Sequence, residues 1–165
     1  VLEWLKKNSH KKFFLLIHNN DPHDAYEYRE GFSTTPKNSL YRKLDPFFPG
    51  RKSPELWGDE GGIIRLNKEQ LAEMKANYDG EIAFTDHHFE TLIDYLKKSD
   101  LDKKTIIIIT ADHGEEFLDH GRYGHGGTLY NELLRVPLIV YLPGVKHRTI
   151  ENKVSTIDIL SLIHI

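Results

Sequence analysis

Thr105–Gly127 reads TIIIITADHGEEFLDHGRYGHGG. Four consecutive isoleucines, stiff at χ1, form a short apolar run that predicts a strand over Thr105–Thr110 buried on both faces, as in a parallel sheet. The run stops at Ala111, and Asp112, His113 and Gly114 follow. In open α/β sheets ligands bind beyond the carboxyl ends of the strands, which is where this carboxylate and imidazole fall. An Asp after a strand also serves as a turn former or helix cap. The continuation favours a site, because His120 and His125 stand in a loop with Gly121, Gly124, Gly126 and Gly127. Glycines beside polar groups let backbone approach a ligand closely. The layout is that of a metal-dependent active site.

Working outward, Phe13–Ile17 (FFLLI) is a second apolar run and predicts another parallel strand. Polar residues again follow, with His18 and His23 as candidate site residues and Pro22 disfavouring helix at Asp21. Val136–Leu142 (VPLIVYL) predicts a third buried strand, with Pro137 early where it is tolerated. Between the first two runs, Asn67 with Gln70 three residues on forms a capping-box signature. Leu71, Met74, Tyr78, Ile82, Phe89, Leu92, Ile93 and Leu96 then predict one helix over Lys68–Lys98, bent at Gly80. Asp79, Glu81, Asp86, His87, His88 and Glu90 fall mostly on its solvated face. Strands alternating with helices predict an α/β fold with a mainly parallel sheet flanked by helices.

Residues 24–66 are rich in Pro, Gly and aromatics, which predicts a long ordered loop excursion over the site mouth. Short helices are predicted over Thr128–Leu134 and after a cap at Ser155 or Thr156. Val1–Lys7 reads as the last turns of an amphipathic helix, and the periodic pattern runs on to Ile165. Residues 1–165 thus read as a single partial domain truncated at both ends.

Composition narrows the chemistry. The chain carries 22 basic and 25 acidic residues, a formal net charge of -3, and lacks the basic field that nucleic-acid binding needs. With no cysteine, disulfides, thiolate zinc sites and cysteine nucleophiles within the chain are excluded, and neither a cytoplasmic nor a secreted location is favoured. No apolar run is long enough to span a bilayer.

Four segments carry a resemblance: FFLLIHNNDPHDAY, YDGEIAFTDHHFETLIDYL, IIIITADHGEEFLDHGRYGHGGTLYNELLRVPLIVYLPG and VSTIDIL. In order and spacing they resemble sulfatases, the arylsulfatase and phosphonate-monoester-hydrolase branch of the alkaline-phosphatase-like superfamily, over the C-terminal part of the catalytic domain. The resemblance implies an alkaline-phosphatase-like fold and hydrolysis of a small-molecule or glycan sulfate or phosphate ester. It makes Asp112 and His113 ligands to one divalent cation. Calcium is the family's usual ion, and an imidazole at His113, where many members have Asn, suits Mn, Fe or Zn instead. By the same resemblance His23 contacts the sulfate or the leaving-group oxygen, and a general-acid role for it is a hypothesis that follows. His125 stands where many members have a substrate-binding Lys, and His18 is a candidate substrate contact from its place after the Phe13–Ile17 run. The family's formylglycine nucleophile arises from a C/S-x-P-x-R motif, and an Asp-Asp pair supplies further metal ligands. Neither motif occurs in the chain, and in the family both lie N-terminal to this region. Three readings follow: a sulfate-ester hydrolase, a phosphodiesterase or phosphonate monoester hydrolase on the same scaffold, and a non-catalytic metal or anion binder. A zinc site built from His113, His120 and His125 is a further reading of the residues.

Overall fold

The computed structural model describes residues 1–23, 26–35 and 66–163. The predicted excursion over residues 24–66 lies mostly outside the described residues.

The long helix α2 spans Lys68–Lys98 with the bounds the sequence predicts. Its start is fixed locally. The Asn67 side chain accepts from the Gln70 amide, and the Gln70 side chain accepts from the Asn67 amide. Thirty-one residues at about 1.5 Å each make a rod of about 46 Å, long enough to serve two separate cores. Near its N-terminus Met74 packs with Tyr26 and Phe117, with Leu66, Leu71, Tyr78 and Tyr123 around them. Near its C-terminus Leu96 packs with Leu5 of helix α1 (Leu2–Asn8) and with Leu101. Phe13, Leu15, Leu92, Ile93 and Ile107 complete that second cluster. Glu81 departs from the solvated face expected of it and is buried on α2.

A 3₁₀ turn (Asp102–Lys104) leads into β1, Ile107–Thr110, which ends where Asp112 begins the site. Beyond it come the two-residue strands β2 (Glu116–Phe117) and β3 (Tyr123–Gly124), paired as a small antiparallel hairpin. Helix α3, Asn131–Leu134, is shorter than the predicted Thr128–Leu134 and has Tyr130 as its N-cap. It packs directly on the site loop: the Gly114 amide donates to the Leu133 carbonyl at 2.8 Å. A Cβ on Gly114 would lie 1.9 Å from the Glu132 carbonyl oxygen, so only glycine permits this approach. Strand β4 is Leu138–Tyr141, and helix α4 is Asp158–Ile163. The helix starts at Asp158, past the predicted caps Ser155 and Thr156, and its Asp158 carboxylate accepts from the Ser155 amide at 2.9 Å.

Strand pairing differs from the expectation. Strand β1 pairs with β4 antiparallel, Ile107 opposite Tyr141 and Thr110 opposite Leu138. The buried-on-both-faces reading of Thr105–Thr110 and Val136–Leu142 is corrected. Strand β1 is half-buried and β4 is largely exposed from Ile139 to Tyr141, because among the described residues no layer covers its outer face. Phe13–Ile17 forms no strand among the described residues. Phe13 and Leu15 pack beside Ile107 in the second cluster, while Phe14 and Leu16 are 68% and 78% exposed. The side chains therefore alternate as in a strand, but no ladder of hydrogen bonds joins the segment to β1.

Candidate active site

The site assembles past the end of β1 from residues 18–23 with Tyr26, from 111–116 and from 120–132. Asp112 projects from the first turn, its side chain 82% exposed, and accepts from the His113 amide at 3.1 Å. Partial burial pushes the Asp112 carboxyl up. Hydrogen bonds from its own and the His113 backbone, with the charges of His113 and His18, outweigh this and hold it below the usual range. His18 is thereby in electrostatic reach of Asp112, although its own side chain is exposed.

His113 Nδ1 lies 2.8 Å from the Gly114 carbonyl oxygen. A carbonyl only accepts, so Nδ1 carries the hydrogen, and in the neutral ring it is Nε2, 3.9 Å from Asp112 Oδ2, that offers a lone pair to a cation. A ligating histidine is oriented in this way, its second nitrogen held by a backbone carbonyl. The Asp112–His113 pair therefore fits as part of the coordination shell of a divalent cation. Among the described residues no three metal-ligating groups converge on one point. His120 goes elsewhere: it stacks on Tyr130 at 3.6 Å and faces Glu132 at 3.4 Å, apart from a zinc site with His113 and His125.

The imidazoles of His113 and His125 stack at 4.0 Å, and that of His23 meets His125 edge-on at 5.0 Å. Residues 23, 113 and 125 are thus brought together from two distant parts of the chain. Gly124 and Gly126, either side of His125, have φ of 83° and 88°, a left-handed backbone that glycine adopts without strain.

Several residues that the sequence does not single out hold this arrangement. Glu115, its side chain 4% exposed, takes His125 Nδ1 on one oxygen at 2.9 Å and the Tyr26 hydroxyl on the other at 2.6 Å. Burial drives the Tyr26 phenol far up, and Tyr123 and Glu115 add to the shift, so Tyr26 stays a neutral donor. Glu116, also buried, accepts from the Thr128 hydroxyl at 3.0 Å. The two glutamates thus reach the glycine loop at two points, His125 in its middle and Thr128 at its C-terminal end. Arg29 binds Asp21, two residues before His23, at 3.0 Å and Glu81 at 3.2 Å, and it lies over the Phe84 ring at 4.8 Å. Asn19 donates to Thr85 at 3.1 Å, a second tie between the His23 segment and α2. The adjacent glutamates of Gly114-Glu-Glu-Phe, a charged pair entering an apolar turn, are the signal in the sequence that marks Glu115 and Glu116.

Carboxylate and imidazole side chains gathered past a strand end are groups of the kind that metal-assisted hydrolases use. The chain belongs to the sulfatase family, whose model matches residues 1–163. It is 32% identical to arylsulfatase K of Mus musculus over 177 residues, covering 96% of this chain and 32% of that protein. It is 26% identical to the endo-4-O-sulfatase of Bacteroides thetaiotaomicron, over 97% of this chain and 30% of that protein. It is 28% identical to the multifunctional alkaline phosphatase superfamily protein PehA of Trinickia caryophylli, over 85% and 30% respectively. The chain spans about a third of the length of the curated relatives it matches. Family membership carries the alkaline-phosphatase-like α/β fold with it.

Proposed function

We propose that the chain is part of one catalytic domain that hydrolyses sulfate monoesters, small-molecule or glycan, with the help of one divalent cation. The observation that carries the reading is the meeting of His23, His113 and His125 beside Asp112, in a chain of the sulfatase family. Two relatives bear the names arylsulfatase K and endo-4-O-sulfatase, which supports sulfate ester as the substrate class. The wider sheet of the domain is mainly parallel in this reading, with β1 and β4 as its antiparallel pair.

Asp112 and His113 Nε2 would hold the cation, calcium by family habit or Mn, Fe or Zn by the imidazole. When bound, the cation supplies Lewis acidity towards the ester oxygens and lowers the pKa of the nucleophile. The nucleophile, a formylglycine in this family's pattern, is supplied from outside these 165 residues, which contain no C/S-x-P-x-R motif. His125 and His18 bind the anionic ester. His23 donates a proton to the leaving oxygen as the bond to sulfur breaks, neutralising charge where it develops.

The test uses the full-length enzyme with an aryl sulfate and an aryl phosphodiester in parallel. Faster turnover of the sulfate supports the reading, and preference for the diester moves the assignment to a phosphoryl-transfer relative. His23→Ala sharpens it. Loss of a general acid slows esters of poor leaving groups far more than those of a nitrophenol, which leaves without a proton. Equal losses for both remove the role.

A further inference from the structure

The pairing of His125 with a nearly buried carboxylate is not required by substrate binding alone. Glu115 sits two residues past His113, just before β2, with its side chain 4% exposed. Its two oxygens have separate partners: Oε2 accepts from the Tyr26 hydroxyl at 2.6 Å, and Oε1 meets His125 Nδ1 at 2.9 Å. Tyr26 is itself buried between Phe117, Tyr78 and Tyr123, with ring centroids at 5.7, 5.3 and 6.3 Å. A rigid aromatic cage thus fixes the phenol, the phenol fixes the carboxylate, and the carboxylate faces the imidazole.

We propose that Glu115 is a positioning residue that, clamped by Tyr26, keeps the Nδ1–H of His125 on its carboxylate and so aims Nε2 at substrate, where the protonated ring donates to the anionic ester. A carboxylate that already accepts from a phenol accepts equally from Nδ1–H, which sets the tautomer and the ring plane together. The flanking glycines make such a hold necessary. Gly124 and Gly126 give the backbone of this loop wide freedom, so the side-chain bond supplies the orientation that the backbone does not. Thr128, held by Glu116 at 3.0 Å, ties down the far end of the same loop.

The proposal rests on the reading of His125 as a substrate contact, and its test separates the two. Histidine labelled with ¹⁵N in the full-length enzyme, at one alkaline pH, reports the His125 tautomer, with His125→Ala identifying the signal. Wild type is expected to show Nδ1–H. Glu115→Ala, which removes the acceptor, is expected to revert to the Nε2–H form that free imidazole prefers. Glu115→Gln, which keeps an acceptor oxygen and nearly the same shape, retains Nδ1–H. An Nε2–H form in the wild type, or an unchanged tautomer in Glu115→Ala, overturns the proposal, and the wild-type spectrum decides even where a variant does not fold.

Kinetics with an aryl sulfate supply the second arm. Glu115→Ala is expected to lose about 10- to 100-fold in kcat/KM, the usual cost of removing an outer partner of a site histidine. Glu115→Gln restores most of that loss. In a His125→Ala background the further Glu115→Ala change is expected to alter kcat/KM by less than about twofold, because Glu115 acts through the missing ring. A second loss of full size there shows a general structural role instead and overturns the proposal. If no sulfate ester is hydrolysed, the functional reading fails while the tautomer still decides the role of Glu115.

Discussion

His113 is the residue on which the choice of metal turns. Its Nδ1 is committed to the Gly114 carbonyl, so Nε2 is presented as a soft, neutral donor beside the hard Asp112 carboxylate. Imidazole favours Mn, Fe or Zn over Ca, and an amide oxygen reverses the preference. His113→Asn is therefore expected to move the activation order of metal-stripped full-length enzyme towards calcium, measured by adding back each cation in turn. An unchanged order would detach His113 from the metal. A second residue-scale prediction concerns Glu81. Burial raises its carboxyl from 4.5 to about 7, Asp21 adds to the rise, and the Glu27 amide and Arg29 oppose it. Its folded value thus lies above its unfolded one, so its contribution is fully present below pH 4.5 and is lost as pH rises through about 7. The loss is on the order of 3 kcal/mol. Urea unfolding of the chain should become easier between those pH values, and Glu81→Gln should flatten that part of the profile. A Gln variant with the same slope would place the titrating group elsewhere.

Helix α2 is the element whose ends and packing are most sharply testable. Asn67→Ala removes the acceptor for the Gln70 amide and should cost about 1 kcal/mol in urea unfolding. Gly80→Ala would gain about 1 kcal/mol on helix propensity alone. Its new Cβ, however, would lie 2.5 Å from Ser33 Oγ and 2.9 Å from Ser33 Cα, where the 26–35 segment crosses the helix. Relieving that contact moves backbone, so a net loss of about 1–3 kcal/mol is expected. A stabilised variant would mean that the segment is free to lift away. This helix was legible in the sequence down to its terminal residues, because a capping box and three-and-four spacing are local signals. Strand pairing was not. Phe13–Ile17 and Ile106–Ile109 look alike as apolar runs, and only non-local contacts decide that one pairs with β4 while the other packs by side chains alone. The site divides in the same way. Asp112, His113, His125 and His23 were marked by their place after apolar runs and beside glycines. Glu115 escaped because the Glu-Glu pair marks only its place, while its role depends on Tyr26, 89 residues away, and on burial set by non-local packing.

At the scale of the whole molecule, the described residues hold two small apolar clusters at opposite ends of α2, while much apolar surface lies outside both. Phe14, Leu16 and Ile17 are exposed on one segment, and Ile139, Val140, Tyr141 and Leu142 on and just after β4. Ile150, Val154, Ile157 and Leu160 continue the exposure towards the C-terminal end. Isolated exposed leucines are ordinary, but runs of this kind are not, and a two-stranded sheet also presents unpaired backbone along its edges. A formal net charge of only -3 offers little repulsion to keep copies apart. The 165-residue chain produced by itself is therefore expected to self-associate, eluting above monomer mass in size-exclusion chromatography with light scattering. Leu16→Lys together with Ile139→Lys should shift the distribution towards monomer, since each places a charge in one of the exposed runs without touching either cluster. A wild-type chain that is already monomeric at micromolar concentration would show that these faces are covered within a single copy.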